Sequence, residues 1–396
     1  MPGVTPELLR VLRSPDGEKA LATADELAGA DPLVAASAMR SRGIPADLAA
    51  AALTQASLRG RAACKFGPDA ARMFFTRPGW EQATRSVVAD RRAARLADAG
   101  VRSLVDLGCG LGSDALAAAR RGIRVYAVEA DPLTAAIAAA NAEAAGLAEL
   151  ITVECADATT VEVERYDAVF ADPARRQTGR GRVFNPKSYS PSWDFIAGLP
   201  GRVPLTTLKL APGIDHDLLP PGAEGEWVSV GGDLVEAAFW CGPLAAAPRR
   251  ATLIGASGEV RELTGTGVEA APVGAVGGYL YDPDPAVVRS HLVAEFAATV
   301  GGRLADPEIA YVYTDEPVDT PYARRLTVTD VLPFSLKRLR ALLRERGVGR
   351  LEIRKRGSAL VPEQLRKDLK LSGPNPAGLV LTRMNGAPVV LLTSAA

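Results

Sequence analysis

The chain of 396 residues is poor in the side chains most used for nucleophilic and metal chemistry: two histidines, His216 and His291, and four scattered cysteines, Cys64, Cys109, Cys155 and Cys241. No two cysteines have CxxC spacing, so neither a zinc site nor a disulfide framework is expected, and a reducing cytoplasm suits such a chain. Net charge is also lacking. The 46 lysines and arginines equal the 46 acids, so any polyanion must be bound by local charge. No run of about 18 apolar residues occurs, and the first twenty residues lack an apolar stretch fit for a signal peptide; neither a membrane span nor a bound metal is expected.

What the chain does have is concentrated between Val101 and Asn141. An apolar run, Ser103 to Asp106, reads as a buried strand that enters a glycine-rich turn, Gly108-Cys109-Gly110-Leu111-Gly112. A helix-favouring run follows from Ser113 to Arg121, with Ser113 or Asp114 as its expected cap. A second strand, Ile123 to Val128, ends on Glu129, placed to accept hydrogen bonds from both hydroxyls of a ribose. A dinucleotide fingerprint would be GxGxxG with pyrophosphate on the helix end. Here the spacing is GxGxG, flanked by Asp106 and Asp114, whose charges repel a pyrophosphate and suit a cationic cofactor.

This stretch resembles the first motif of the class I S-adenosylmethionine-dependent methyltransferases. The resemblance implies that S-adenosylmethionine is the cofactor, with Asp106, Gly108, Gly110 and Gly112 at its methionine end, Glu129 at its ribose and Asp157, after the third strand, at its adenine. A turn-forming role is the alternative for Asp157. Ahead of the motif, GWEQATR is similar to the segment that folds over the cofactor in trimethylguanosine-synthase-like enzymes. That makes Thr84 a further cofactor candidate, with a simple helix cap as its alternative.

The fourth strand, Tyr166 to Ala171, leads into Asp172-Pro173-Ala174-Arg175-Arg176. This resembles the [DNS]-P-P-[YFWR] motif of methyltransferases acting on nitrogens of planar bases, with Ala174 and Arg175 as departures. Asp172, Pro173 and Arg175 are therefore the catalytic candidates. Arg176 and the aromatic residues of the following loop, Phe184, Tyr189 and Trp193, are candidates for holding substrate, although Trp193 equally fits a core position. The m5U-type RNA methyltransferases share a similar motif, but the nucleophilic cysteine that they place after the fifth strand is missing here, which disfavours a covalent pyrimidine adduct.

Residues before about 97 read as helices, and Arg59, Arg61, Lys65, Arg72 and Arg77 among Phe66, Phe74 and Phe75 suggest a nucleic-acid surface. The C-terminal piece reads as alternating strands and helices. Between Ala323 and Ser372 it carries fourteen lysines and arginines against five acids, densest at Arg354-Lys355-Arg356. This is either a phosphate-backbone surface or a solvated basic face.

Taken in order, the GWEQAT stretch, the DPARR motif, the GGDLVEAAFW hairpin, the YLYDPDPAVVR helix and the small α/β tail resemble bacterial methyltransferases with a THUMP-like C-terminal domain. The fold expected is α/β: a Rossmann-like seven-stranded methyltransferase sheet over residues 98–265, a helical N-terminal domain over 1–97, a linker and helix over 266–323, and a THUMP-like α/β domain over 324–396. The resemblance implies RNA modification in the cytoplasm, with a base nitrogen of tRNA or rRNA as target. A small-molecule or protein methyltransferase and a non-catalytic RNA-binding protein with a retained fold are the alternatives.

Overall fold

The computed structural model describes residues 5–175 and 189–394. The chain divides into two compact units, Met1–Glu224 with Ala238–Ala246, and Gly225–Ala237 with Ala247–Ala396.

The first unit opens with six helices: α1 (Pro6–Leu12), α2 (Pro15–Glu26), α3 (Pro32–Ser41), α4 (Ala46–Phe66), α5 (Arg77–Gln82) and α6 (Ser86–Asp98). Four of them begin by one device, a proline in the first turn behind a Thr, Ser or Asp cap. Thr5, Ser14, Asp31 and Thr76 each accept a hydrogen bond from an N–H of that turn. Helix α4 runs as far as Phe66 because Ala56, Arg59, Ala62 and Phe66 prolong one buried face at helical spacing.

That face takes Arg59 and the three phenylalanines out of the nucleic-acid reading, while Arg61, Arg72 and Arg77 are exposed. Phe66, Phe74 and Phe75 are buried, and the Arg59 guanidinium lies over the Phe74 ring and donates to the Met73 carbonyl at 3.0 Å. Lys65 donates to the carbonyls of Trp80, Glu81 and Ala83 at 2.8, 2.8 and 3.2 Å, so its charge closes the end of α5.

Two buried amides hold the segment between α4 and α5. Gln55 exchanges both hydrogen bonds with the Phe75 backbone. Asn141 accepts from Phe74 N at 2.7 Å and donates to the carbonyls of Phe74 and Leu111 at 3.2 and 3.0 Å. Asn141→Ala strands these backbone groups in the interior, so it is expected to cost about 2–4 kcal/mol, read as a lower midpoint in chemical denaturation.

The parallel part of the sheet follows. Its elements are β1 (Ser103–Leu107), α7 (Ser113–Arg120), β2 (Arg124–Glu129), α8 (Pro132–Ala144), β3 (Ile151–Cys155), β4 (Ala168–Ala171), α9 (Trp193–Arg202) and β7 (Thr206–Leu210), and between β4 and α9 the two-residue β5 (Ala174–Arg175) and β6 (Tyr189–Ser190) pair antiparallel as a separate ladder. β1 pairs with β2 on one side and β4 on the other, β3 lies outside β2 and β7 outside β4, all parallel. Strand order thus reverses between β1 and β4, and the carboxyl ends of these two strands flank a topological switch point, where open α/β sheets bind ligands.

Next in the chain, β8 (Glu224–Val230) and β9 (Asp233–Trp240) form the expected pair of strands, but two more follow in the second unit, β10 (Arg249–Ile254) and β11 (Val260–Gly265). β10 runs parallel to β8 and antiparallel to β11, so the strand count exceeds the expected seven. A second sheet is built from β12 (Tyr279–Pro283), β13 (Arg303–Leu304), β14 (Val312–Thr314), β15 (Ala323–Pro333), β16 (Val348–Lys355), β17 (Asn375–Met384) and β18 (Ala387–Thr393), in the order β13-β14-β12-β15-β18-β17-β16. Between β12 and β13 the single helix anticipated is two, α10 (Pro285–Arg289) and α11 (Val293–Val300), interrupted at His291 with φ of 64°. Helices α12 (Leu336–Glu345) and α13 (Pro362–Leu369) cover the last strands. Leu339, Leu343, Leu365 and Leu369 pack with Leu379, Leu381, Val390 and Leu392, so helical and strand periodicities meet in one core. Asn385 and Gly386, at φ of 48° and 77°, make the tight hairpin between β17 and β18.

Among the described residues no helix is long and apolar enough to cross a membrane, and no group of His, Cys, Asp and Glu is placed to hold a metal ion.

Candidate active site

The glycine loop lies at the switch point. Gly108, Gly110 and Gly112 have φ of 83°, 55° and 84°, the left-handed region that side chains resist. Gly108 is doubly constrained, since a Cβ there would stand 2.8 Å from the Asp172 carbonyl oxygen. Gly108→Ala therefore combines a left-handed residue with a backbone clash. A cost of about 1–2 kcal/mol in strain alone is expected, read as a lower melting temperature and weaker cofactor binding by calorimetry.

The expected cap is corrected. Gly112 itself occupies the N-cap position of α7 and no side chain caps the helix, while Ser113 and Asp114 fall inside the first turn and are buried. Asp114 instead accepts from Arg92 Nε of α6 at 2.8 Å, and the Arg92 guanidinium lies 4.6 Å from the Phe170 ring centre. Burial pushes the Asp114 carboxyl up, but Arg92, Lys209 and the neighbouring Thr84 outweigh it and hold it below the usual carboxylate range. Thr84 is itself buried, on the turn that joins α5 to α6.

Glu129, at the tip of β2, shapes the loop. Its two carboxylate oxygens accept from Gly110 N at 3.1 Å and Asp131 N at 3.0 Å. Asp157 lies beyond β3, where the adjoining Ala156 N donates to the Glu129 carbonyl. Its side chain is exposed, with one oxygen accepting from Thr159 N and Oγ1, both at 2.8 Å, so it does form the turn that the sequence offered as its alternative.

Asp106, at the centre, is fully buried, and neither carboxylate oxygen has a hydrogen-bond partner among the described residues. Desolvation, followed by repulsion from Asp114 and Asp172, pushes this carboxyl well above its ordinary range, offset in part by Lys209 and Arg92. Asp172 follows β4, where Lys209 Nζ from β7 donates to its Oδ2 at 2.5 Å. Burial raises Asp172 also, with Lys209 opposing. The pocket thus collects three carboxylates and two buried cations, a deficit of one positive charge.

Sequence reasoning missed Lys209, Arg92 and Asn141. Lys209 did leave a signal: it is the lone charge in the apolar run TTLKL, near the carboxyl end of a central strand.

The substrate-side candidates divide. Pro173 is buried directly after Asp172, and Arg175 pairs with Tyr189 across the β5–β6 ladder. Tyr189 is 5% exposed, which leaves little of it open to hold substrate; its ring packs at 6.0 Å against the half-buried Trp193 ring. Arg176 and Phe184 lie outside the described residues. In the second unit, Arg354 and Arg356 both pair with Asp282, at 3.0 and 2.8 Å, and Lys355 donates to the Leu360 carbonyl at 3.2 Å. The densest basic point is therefore largely engaged within its own unit.

The site fits a cationic nucleoside cofactor on its own chemistry: a buried carboxylate lacking a partner, a loop that admits no side chain at Gly108, and an acid at the neighbouring strand tip.

Comparison with known proteins agrees. A methyltransferase-domain model matches residues 104–176, a THUMP domain-like model residues 323–395, and a domain of unknown function residues 5–62. An uncharacterised S-adenosylmethionine-dependent methyltransferase of Mycobacterium tuberculosis is 33% identical over 349 residues, covering 85% of this chain and 93% of the relative. The 23S rRNA (uracil(1939)-C(5))-methyltransferase RlmD of Acidithiobacillus ferrooxidans is 36% identical over 100 residues, 24% of this chain and 23% of that one. A crystal structure from Porphyromonas gingivalis, whose name marks it as a suspected methyltransferase, shares the fold with a TM-score of 0.74 and 22% identity, covering 96% of this chain and 98% of its own. With a Rossmann-like site built for a cationic nucleoside and a relative this similar along nearly its whole length, the chain belongs to the S-adenosylmethionine-dependent methyltransferases, with S-adenosylmethionine as its cofactor.

Proposed function

We propose that this methyltransferase modifies a base nitrogen in a structured RNA, tRNA or rRNA. The observation that carries the reading is the position of Asp172: at the carboxyl end of β4, its carbonyl against Gly108 of the cofactor loop and its carboxylate bonded to Lys209. An acid there accepts hydrogen bonds from a target N–H group and leaves the nitrogen lone pair aimed across the loop. Pro173 fixes the backbone beside it, and Arg175 supplies a planar cation for a base or a phosphate.

On this reading Asp106 holds the cationic methionine end, the three glycines admit it, Thr84 covers it, Glu129 takes the ribose and the second oxygen of Asp157 the adenine amine. The bound cofactor supplies a methyl group on an electrophilic sulfonium. The chain's own contribution is to hold the nucleophile in line and keep water out, which suits a pocket poor in histidine and reactive thiol.

Carbon methylation through a cysteine adduct finds no support here. Cys241 is buried, its thiol pushed up to about 12 by desolvation, and Cys109 is buried in the loop with its thiol raised well above the ordinary value. RNA as the substrate is supported by the fourteen-to-five basic excess between Ala323 and Ser372, by the THUMP domain-like match over the same piece, and by the rRNA named as substrate of a partial relative. On this reading the C-terminal piece docks the RNA, Trp193 and Arg176 contact the base, and the protein works in the cytoplasm. A small-molecule or protein substrate is the second reading, favoured by the pairing of Arg354 and Arg356 with Asp282.

The test is tritium transfer from labelled S-adenosylmethionine to total RNA of a strain lacking the gene, with protein and metabolite fractions in parallel. Salt-sensitive label in one RNA band supports the proposal. Label confined to the other fractions rejects it.

A further inference from the structure

We infer that Lys209 is a positioning residue for Asp172: bonded to one oxygen of its carboxylate, it keeps that group charged and turned so that the other oxygen receives the hydrogen bond, and finally the proton, of the target amine. This deepens the proposed function and rests on a nitrogen target.

The geometry sets the argument. Lys209 Nζ lies 2.5 Å from Asp172 Oδ2, with the lysine side chain 12% exposed and the aspartate side chain 34% exposed, so the pair is sheltered on the lysine side and open on the other. Lys209 is the residue before the last of β7, and its side chain reaches the carboxylate that follows the neighbouring strand β4. It is stabilised there because the charges around Asp172 are otherwise unfavourable. Asp106 on β1 and Asp114 on α7 repel the carboxylate, and Arg92 on α6, bonded to Asp114, opposes them. Lys65, whose ammonium is held by three carbonyls, stands in the field of both Lys209 and Arg85. Without Lys209 the Asp172 carboxylate would lose the opposite charge bonded to it while burial and the repulsion of Asp114 remained, so its carboxyl would be raised further.

The transfer balances as follows. The amine lone pair forms the N–C bond as the C–S bond breaks, and that electron pair stays on sulfur, which loses its positive charge. The nitrogen gains the charge and sheds its proton to the free oxygen of Asp172. A carboxylate already protonated accepts neither the hydrogen bond nor the proton.

The test has two parts. Protein labelled with ¹³C in its aspartate carboxyls, with Asp172→Asn to assign the resonance, is titrated as wild type, Lys209→Met and Lys209→Arg. The Asp172 titration is expected to move up by about one pH unit or more in Lys209→Met, a tenfold or greater change in proton affinity, and to return toward wild type in Lys209→Arg. An unmoved titration overturns the inference. With total RNA as substrate and S-adenosylmethionine kept saturating at every pH, the acid limb of the single-turnover rate is expected to move in the same direction as the Asp172 titration. A rate loss that follows cofactor affinity or melting temperature instead overturns the positioning role. If the titration moves but RNA takes no label, the RNA reading fails while the Lys209 assignment stands.

Discussion

Asp172→Asn is expected to bind S-adenosylmethionine within about threefold of wild type and to transfer its methyl about 100-fold more slowly, or less, a loss in the range for removing a proton acceptor at a reacting centre. The substitution keeps the shape of the side chain and an oxygen for Lys209, so the approach of the Asp172 carbonyl to Gly108 is preserved. What it removes is the charge. Equilibrium binding by calorimetry and single-turnover transfer on the labelled RNA fraction separate the two quantities. An Asp172→Asn enzyme that transfers at the wild-type rate would move the acceptor elsewhere. The wild-type rate should also fall toward acid, since Asp172 must be ionised and its carboxyl is raised.

Asp106→Asn has two effects of opposite sign. In the free protein Asp106 is a fully buried acid whose proton is held more tightly than in the unfolded chain, because of desolvation and then repulsion from Asp114 and Asp172. An acid raised on folding gives stability that is present at low pH and is lost as pH climbs from the unfolded value, near 3.9, toward the raised one. The neutral amide carries no such loss, so at pH 7 the free variant is expected to melt above wild type, with the difference vanishing toward pH 4. Cofactor binding moves the other way. Losing a charged partner for the cofactor's ammonium costs about 1.5–3 kcal/mol, or roughly 10- to 150-fold in affinity. Melting curves with and without saturating S-adenosylmethionine would show the order of the two proteins reverse. If the order holds in both conditions, Asp106 is not the ammonium partner. In wild type the same linkage makes the affinity fall as pH is lowered through the raised carboxyl's range.

Much of this site was legible because its signals are local. A strand running into alternating glycines with an acid at each side fixes a turn, a helix start and a sign of charge within a dozen residues, while the expected places of Asp106 and Gly108 at a cofactor came from the family resemblance of that stretch. Asp172 was singled out by the resemblance of Asp172-Pro173-Ala174-Arg175 to a family motif at the end of a strand. The partners that set the chemistry were not, because they come from distant stretches: Arg92 reaches Asp114 from the helix before the sheet, and Lys209 reaches Asp172 from the strand beyond it. Sequence proximity also misled. Arg59, Lys65 and their neighbouring phenylalanines look like a basic aromatic surface on paper. The long face of α4 turns them inward, and the carbonyls at the end of α5 take the charge of Lys65. The densest basic run of the C-terminal piece likewise met an acid 72 residues away in sequence, Asp282.

The amide clamp at Phe74 and Phe75 also determines where this protein can be cut. Asn141 grips the Leu111 carbonyl with the same side chain that grips Phe74, so the cofactor loop and the helical region share one set of fasteners. A catalytic fragment begun at residue 98 would leave the Asn141 amide facing a hole and the glycine loop without its backing. The helices before the sheet therefore behave as an organ of the catalytic body rather than an appendage, and cofactor occupancy will register as slowed amide exchange at Phe74, some thirty-seven residues upstream of Leu111.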